Sequence, residues 1–343
     1  MTSDVLSDVL RAVRLTGAVY FDFNLNAPWV AEAPASREIA SAVMPGAQHV
    51  FEYHLMARGS AWGHAIGEPP IRLREGDLLL FPQGDAHVLS SAPGMRSAPD
   101  LAIYARPSTP LPLVFELGAA GSDQSRIVCG FLGCDERPYN PLLAALPRVI
   151  HLPAGDRTTT TGPLGAMLDI AVREAGKGGP GTENILSRLS ELMFVEAIRQ
   201  YLRTLPEKQI GWLAGLRDPV VGRALEAMHG APREAWTVES LGRTVGVSRS
   251  VLAARFTEMV GHPPMHYLAL WRMQLAARLL HGGQSVVATA DEVGYESEAA
   301  FSRTFKKLMG APPAVWRRNA RHGPESPPAG LQHQDRKPER RTL

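Results

Sequence analysis

The two cysteines of the chain are the residues whose chemistry follows most directly from type and spacing. Cys129 and Cys134 stand in the segment CGFLGCD, so four residues separate them. This gap allows both thiolates to bind one zinc ion, completed by histidines such as His54 and His87, or allows a thiol pair that oxidises. It also allows two small apolar side chains packed in a core. The sequence leaves these three roles open.

Two cysteines in 343 residues do not form a disulfide framework, which fits a reducing compartment. The sequence has no run of eighteen or more apolar residues. Asp4 and Asp8 stand where a secretory signal would need basic and then apolar residues. We therefore expect a cytoplasmic protein without a membrane partner.

The net charge of +2 is unevenly distributed along the chain. Residues 218–343 contain 17 Lys and Arg against 12 Asp and Glu, a balance of +5. Residues 1–217 contain 19 against 22, a balance of −3. A basic second half favours a nucleic acid as the partner of that half alone. The length and the 45% apolar content predict two folded domains.

The secondary structure that must position these side chains is predicted to change from strands to helices near residue 160. Before it, short apolar or alternating runs at roughly ten-residue spacing are separated by Pro, Gly and Asp clusters. This rhythm predicts an all-β sandwich or small barrel over residues 1–160. The predicted strands include 40–43, 71–73, 78–81, 101–104, 113–117 and 127–131.

Residues 161–217 have helical periodicity instead. A predicted helix over 183–205 carries a broad apolar face that includes Ile185 and Leu192, and Pro206 ends it. A face this apolar must be covered, either by packing within the domain or by a second copy of the chain. We therefore predict a helical dimerisation region and linker over 161–217, with a homodimer as one alternative.

The C-terminal region contains a repeated segment. Residues 243–264 read RTVGVSRSVLAARFTEMVGHPP, and residues 291–313 read DEVGYESEAAFSRTFKKLMGAPP. The copies are offset by 48 residues at Val-Gly and by 49 at Gly-x-Pro-Pro. Repetition of a whole supersecondary unit is difficult to obtain by chance, so we expect both copies to share one role.

Each copy has the parts of a helix-turn-helix. A serine or threonine caps the first helix, a glycine with positive φ makes the turn, and a serine caps the second helix. The second helix of such a unit fits the major groove of DNA. A predicted helix over 263–280, roughly 25 Å long, can hold two such helices about one DNA turn apart. The capping and turn residues are Thr237, Gly246 and Ser248 in the first copy and Ser285, Gly294 and Ser297 in the second.

Residues 218–320 resemble the DNA-binding domain of the AraC/XylS family of bacterial transcription regulators. The resemblance rests on ADEVGYESEAAFSRTFKKLMGAPPAVWRR in the second copy and on SRSVLAARFTEMVGHPPMHYLALWRMQLAARLL in the first. It implies an all-α domain with two helix-turn-helix motifs that binds double-stranded DNA in a sequence-specific manner.

The resemblance also implies which side chains meet DNA. Because alanine can touch only thymine methyl groups, the arginines, Glu298 and Ser302 are expected to carry most hydrogen-bonded discrimination. We expect phosphate contacts from Lys306, Lys307, Arg317 and Arg318. Such contacts position the protein on DNA without reading the base sequence. The expected base-facing residues and their caps are Ser248, Arg249, Ser250, Ala253 and Ala254 in the first copy and Ser297, Glu298, Ala299, Ser302 and Arg303 in the second.

The N-terminal region resembles a cupin domain, which serves as the sensor in a subgroup of that family. Residues 76–91, GDLLLFPQGDAHVLSS, match the second cupin motif through His87, but Ser91 stands where the motif has asparagine. The first motif is degraded, with Glu-Tyr-His at 52–54 in place of His-x-His. The resemblance implies that Glu52, His54 and His87 hold a divalent metal such as zinc, or that the barrel binds an organic effector without metal.

Two functions are compatible with these features. In the first, the cupin-like domain senses a small molecule, a metal or a redox change and controls a transcription regulator, which would contact RNA polymerase if it activates. The alternative is a cupin metalloenzyme with an accessory DNA-binding domain, since two histidines and a carboxylate suit iron. Because the second motif marks a fold and not a reaction, we favour the regulator and assign no catalytic residue. The Pro-rich, charged tail over 321–343 is expected to be disordered.

Overall fold

The computed structural model describes residues 4–105, 111–118, 124–137, 139–154, 163–177, 179–206 and 209–322. As the sequence predicts, a β-rich N-terminal region precedes a helical remainder. The strands are β1 (Thr16–Asn26), β2 (Val30–Ala33), β3 (His49–Arg58), β4 (Ser60–Ala65), β5 (Ile71–Arg74), β6 (Leu78–Phe81), β7 (His87–Ser90), β8 (Leu113–Leu117), β9 (Gln124–Cys134) and β10 (Ile150–Leu152). The helices are α1 (Val5–Ala12), α2 (Ser36–Val43), α3 (Pro141–Ala145), α4 (Pro163–Lys177), α5 (Thr182–Thr204), α6 (Trp212–Gly215), α7 (Val221–Gly230), α8 (Val238–Val245), α9 (Arg249–Val260), α10 (Pro264–His281), α11 (Val286–Glu292), α12 (Glu298–Met309) and α13 (Pro313–His322). Beyond His322 the tail predicted to be disordered lies outside the described residues.

The strands form two sheets. One has six strands in the order β10-β6-β3-β9-β1-β8, and the other has four in the order β2-β7-β4-β5. Strands β1 and β8 pair in parallel, whereas the neighbours of β3 and β7 pair antiparallel. In the part of the chain that the structure describes, no strand belongs to both sheets. The domain is therefore the cupin-like fold that the resemblance implies, formed by two sheets that do not close into one barrel.

Strand β9 separates two hydrophobic cores. Its side chains alternate between the faces of the six-stranded sheet, so Cys129 enters the core between the sheets, whereas Val128 and Leu132 enter a core on the opposite face. Helix α5 covers this opposite face. It approaches β1 so closely that a Cβ added to Gly17 would lie 2.6 Å from the Cβ of Ser190.

Two of the predicted strands are helical in the structure. Residues 40–43 belong to α2, because Ile39 and Val43 are spaced four apart and lie on one buried face of a helix. Residues 101–104 form a 3-10 helix, because the Asp100 side chain accepts a hydrogen bond from the backbone N–H two residues on, at 3.0 Å. Short apolar runs fit either secondary structure, and these two segments lack the paired neighbour that a strand requires.

The helix-turn-helix units are confirmed. Gly246 and Gly294 adopt φ values of 80° and 78° in the two turns, where a left-handed backbone favours glycine. Ser248 and Ser297 each accept a hydrogen bond from the backbone N–H three residues on, so they fix the starts of α9 and α12. Helix α10 joins the units and, with 18 residues, is about 27 Å long.

The two units are attached to the N-terminal domain in different ways. Phe256 of the first unit belongs to the same continuous core as Val9 of α1 and Leu132 of the six-stranded sheet. We call this cluster the shared core. The second unit has a core of its own, which contains Phe301 and Phe305 and borders the second half of α10. Among the described residues, the first unit therefore shares a hydrophobic core with the N-terminal domain, whereas the second unit has a separate core.

Arg14 makes a polar contact between the N-terminal domain and the end of α10. Its guanidinium donates two hydrogen bonds of 2.6 Å to the Asp135 carboxylate, and its Nη1 lies 2.7 Å from His281 Nε2. The hydrogen bonds to Asp135 raise the pKa of Arg14. This contact connects the end of β9 with the helix that carries the second unit.

Candidate functional site

Helices α9 and α12 have equivalent faces. The buried residues of each helix are spaced four apart, so the opposite face of each is left to solvent. These buried residues are Leu252, Phe256 and Val260 in α9 and Phe301, Phe305 and Met309 in α12.

The residues that sequence reasoning assigns to DNA lie on or beside those open faces. Their side chains can reach solvent to different extents. The exposed residues are Ser248, Arg249, Ser250, Ala254, Ser297, Glu298, Ala299, Arg303, Lys306, Lys307 and Arg318. The partly buried residues are Ala253, Ser302 and Arg317.

Arg249 has a partner that the sequence did not indicate. Its Nη1 lies 3.0 Å from Glu239 Oε1 on α8, and both side chains are more than half exposed. An exposed ion pair of this kind contributes about 1 kcal/mol or less. The pair can therefore open at small cost.

A set of contacts around Arg272 fixes the two units relative to each other. Arg272 of α10 donates hydrogen bonds of 2.8 Å to the backbone carbonyls of Pro232 and Glu234, in the loop before the first unit. The same loop closes on the second turn, because a Cβ added to Gly294 would lie 2.5 Å from the Arg233 carbonyl oxygen. Sequence reasoning missed these residues, since no local pattern marks a contact between the units.

A buried polar cluster lies between the two sheets. Glu52 and His54 come from β3 and His87 comes from β7, and each is less than 5% exposed. His54 Nε2 and His87 Nε2 are 2.7 Å apart, and Glu52 Oε2 lies 3.9 Å from the first and 3.6 Å from the second. The structure thus brings together the three residues that the cupin resemblance singles out. We call them the triad.

Neighbouring groups orient the two imidazoles. His87 Nδ1 donates a 2.9 Å hydrogen bond to the Asp85 carbonyl, which can only accept, so His87 Nε2 directs a lone pair into the triad when the ring is neutral. The Phe81 ring stacks on His87 at a centroid distance of 3.8 Å. His54 Nδ1 lies 2.9 Å from Cys129 Sγ. Such outer hydrogen bonds are typical of histidines that bind metals.

Burial shifts every ionisable group of the triad towards its neutral form. Desolvation raises the pKa of Glu52 to about 8 and lowers the pKa of His87 to about 4. Desolvation and the nearby His87 lower the pKa of His54 well below its ordinary value. Glu52 Oε1 is buried and has no hydrogen-bond partner among the described residues. Without a ligand, the cluster is therefore a set of neutral groups that includes one unsatisfied oxygen.

The geometry of the triad fits a metal ion. A triangle with sides of 2.7, 3.6 and 3.9 Å has a circumscribed radius of about 2.0 Å, which equals ordinary zinc–nitrogen and zinc–oxygen distances. Carboxylate and imidazole ligands suit several divalent metals. The donor set and the spacing therefore agree with a metal site.

The two cysteines do not share a site. Cys129 lies beside His54, whereas Cys134 belongs to the shared core and lies 3.6 Å from Asn140 Nδ2. Their separation of five positions along β9 places them on opposite faces of the sheet. A zinc site or disulfide that uses both cysteines is therefore incompatible with this fold. Burial raises the pKa of both thiols, that of Cys134 to about 12, so both resemble packed apolar groups.

A cavity of about 180 Å³ opens beside the triad. Glu52, His54, His87 and Cys129 lie along its wall, and apolar and aromatic side chains form most of the rest. A small molecule in this cavity would contact the triad directly. The structure thus places a ligand-sized space and a candidate metal site side by side.

Helix α5 has both a covered and an open apolar face. Leu186, Met193 and Ala197 are buried, whereas Ile185 and Leu192 are 46% and 52% exposed. Packing within the domain therefore accounts for part of the apolar face noted in the sequence.

None of the described helices combines the length and apolar composition that a membrane crossing demands.

Comparison with protein families gives two matches. A cupin family model matches residues 4–203, and a helix-turn-helix domain model matches residues 241–319. The first match covers the two sheets together with α4 and most of α5. The second covers most of the first unit and all of the second.

Named relatives align over most of the chain. An AraC-like transcription regulator of Streptomyces lividans is 34% identical over 81% of this chain and 90% of its own length. The HTH-type transcriptional regulator AlkR of Acinetobacter baylyi is 31% identical over 80% of this chain and 92% of its own length. The RCS-specific HTH-type transcriptional activator RclR of Escherichia coli is 26% identical over 80% of this chain and 87% of its own length.

Proposed function

The chain belongs to the AraC-like transcription regulators, and we propose that a divalent metal ion at Glu52, His54 and His87 controls its binding to DNA. One observation carries the proposal, namely that three buried ligand atoms converge within 4.8 Å of one another. A bound ion would add positive charge and open coordination positions beside the cavity. It would also give the Glu52 carboxylate the partner that burial otherwise denies it.

Titration of the metal-free protein with zinc tests the metal site. We expect one ion per chain, bound with an affinity that falls at least 10-fold in His87→Ala, because one of three ligands is lost. His64→Ala is the matched control, since His64 lies on β4 beside β7 but outside the triad. Equal zinc affinity in all three proteins would contradict the proposal.

Selection of genomic DNA fragments with and without zinc then identifies the operators and shows whether the metal affects their binding.

Base reading is proposed for Arg249, Glu298, Ser302 and Arg303. Their support is the exposure of Arg249, Glu298 and Arg303 and the partial exposure of Ser302, together with the family's mode of binding. We expect Arg303→Ala to cost about 1–3 kcal/mol on the operator and to relax its specificity, whereas Lys306→Ala should weaken binding to all DNA about equally. Equal losses on operator and random DNA for Arg303→Ala would refute its role.

Homodimerisation is proposed through the open face of α5. Ile185 and Leu192 are seven residues apart on one side of the helix, which is the spacing of a helix–helix contact. In sedimentation equilibrium we expect Leu192→Glu to favour the monomer. Val287→Glu, at a 62% exposed position on α11, is the control and should leave the association constant unchanged.

A further inference from the structure

Helix α10 joins two hydrophobic cores that are otherwise separate. Tyr267 and Trp271, in its first part, belong to the shared core, whereas Met273 and Leu280 belong to the core of the second unit. Among the described residues, α10 is the helix whose buried side chains enter both cores. A helix fixes the distance between the units along its axis, but a bend near its middle would swing one unit relative to the other. A second connection is needed to fix their orientation.

Arg272 lies at the boundary between the two cores and contacts both units. Its Nε and Nη2 donate hydrogen bonds of 2.8 Å to the carbonyls of Pro232 and Glu234, in the loop before the first unit. Its Cζ lies 5.8 Å from the centroid of the Tyr295 ring, which directly follows the turn glycine of the second unit. A guanidinium at this distance from an aromatic ring is attracted to it. One side chain therefore connects the two units.

The groups that Arg272 contacts are themselves held in place. In the loop, the Ala231 carbonyl accepts hydrogen bonds from the backbone N–H of Glu234 at 3.1 Å and from Trp236 Nε1 at 2.9 Å. In the second unit, the Tyr295 ring packs edge-on against Phe301 at a centroid distance of 5.6 Å. A contact between two fixed groups restricts the movement of one unit against the other.

Burial distinguishes Arg272 from the other polar contact between the units. Desolvation lowers the pKa of Arg272, which shows that its guanidinium is partly withdrawn from water and depends on its protein partners. The Arg233 guanidinium lies 2.7 Å from the Asp291 carboxylate of α11, but both side chains are 64% exposed. An exposed ion pair contributes little. The contacts of Arg272 are therefore expected to restrain the units more strongly than this pair does.

The orientation of the units determines which DNA they can bind together. One base pair inserted between two half-sites moves the second half-site by roughly 3.4 Å along the duplex and rotates it by roughly 34°. Two units held in one orientation cannot follow this movement, so the DNA must be deformed, which costs binding free energy. Two units that can swing about α10 would follow it with a smaller loss of affinity.

We propose that Arg272 is a positioning residue that sets the half-site spacing accepted by this regulator. The inference rests on the proposed base reading by both units and requires no metal. Arg272 acts through the loop before the first unit and through Tyr295, without a contact to a base. Loss of its side chain should therefore widen the range of accepted spacings and leave the bases that are read unchanged.

The test compares the binding of the full chain to DNA fragments that differ only in spacing. The probe is a genomic fragment recovered in the selection described above, with its half-sites located by footprinting. The second and third probes carry one and two base pairs inserted between those half-sites. We expect one inserted base pair to reduce the affinity of the wild type about 10-fold or more, and that of Arg272→Ala about 3-fold or less.

Two further variants make the comparison specific. Arg272→Lys keeps the positive charge but lacks the planar group that reaches both carbonyls, so it should also tolerate the insertion better than the wild type. Arg278→Ala removes an exposed arginine of the same helix and should keep the wild-type ratio. Because each ratio compares two fragments on one protein, a general loss of affinity or of folded protein cancels.

The ratios also identify which inference fails. Equal ratios in the wild type, Arg272→Ala and Arg272→Lys would overturn the role of Arg272. A wild type that binds all three fragments equally would show that the two units are not held at one spacing, and would overturn it as well. The Arg303→Ala comparison on operator and random DNA judges base reading separately. If base reading holds and the ratios are equal, only the present inference fails.

Discussion

Replacement of Glu52 by glutamine separates the cost of burying this carboxyl group from its value as a metal ligand. Burial raises the pKa of Glu52 to about 8, whereas the unfolded chain has the ordinary value near 4.5. Between these pH values the folded protein keeps a proton that the unfolded protein has released. The stability of the metal-free protein therefore falls as the pH rises through this window, and the fall ends above about pH 8.

The size of the effect follows from the slope. One group with different protonation in the two states changes the free energy of unfolding by about 1.4 kcal/mol per pH unit. From about pH 5.5 to 7.5, the wild type should lose roughly 2 to 3 kcal/mol relative to Glu52→Gln. Differences between the two proteins that do not depend on pH, such as the hydrogen bonding of the new amide, do not contribute to this change. Groups that are common to both proteins also cancel.

Urea denaturation of chelator-treated protein at several pH values measures the difference. Saturating zinc supplies the second half of the experiment, because a ligand that binds only the folded state stabilises it by an amount that rises with the logarithm of its affinity. Zinc should stabilise the wild type more than Glu52→Gln, which has lost one of three ligands. At pH 7.5, added zinc is therefore expected to raise the free energy of unfolding of the wild type relative to that of Glu52→Gln.

Two results would refute the reasoning. A difference between the proteins that stays constant from pH 5.5 to 7.5 would show that Glu52 titrates normally and is hydrated in the folded state. Equal stabilisation of both proteins by zinc would show that the carboxylate is not a ligand.

Three further changes test other parts of the structure. Gly294→Ala should lower the free energy of unfolding by more than about 1 kcal/mol, because the left-handed turn and the Arg233 carbonyl both oppose a Cβ. Cys134→Ser should leave the zinc stoichiometry unchanged, as measured by calorimetry, because this thiol faces the shared core. Arg14→Ala should destabilise the protein by about 2 kcal/mol in urea denaturation, because the buried Asp135 loses two charged hydrogen bonds.

Two of these changes have a control in the chain. Gly246→Ala places a Cβ in the equivalent turn of the first unit, where no atom lies within 4 Å, so it should cost less than Gly294→Ala. Arg11→Ala removes an exposed pair with Asp8 and should have little effect. Equal losses of stability in Gly294→Ala and Gly246→Ala, or in Arg14→Ala and Arg11→Ala, would contradict the corresponding contact. Loss of zinc from Cys134→Ser would contradict the position of this thiol in the shared core.

The helix-turn-helix units could be predicted almost completely because their determinants are local. A cap such as Ser248 bonds to a backbone N–H three residues away, and a turn glycine such as Gly246 needs only its own φ. The same locality explains the errors at 40–43 and 101–104. Four apolar residues fit a strand or a helix equally well, and the neighbours that decide are distant in sequence.

The triad could be predicted only in part. The family motif points to His54 and His87, but nothing in the spacing of residues 52, 54 and 87 shows that β3 and β7 face each other across a core. The paired role for the cysteines was wrong for a related reason. A four-residue gap suggests proximity on a loop or helix, but on β9 it directs the two thiols to opposite faces.

The shared core changes where this protein can be divided and recombined. A cut in the segment between α5 and α7 would separate α1, with Val9, from the first helix-turn-helix unit that it helps to bury. An exchange that replaces only the second unit, after α10, would leave that core intact. Exchange of the second unit alone is therefore expected to disturb the fold of the protein less than exchange of the first unit.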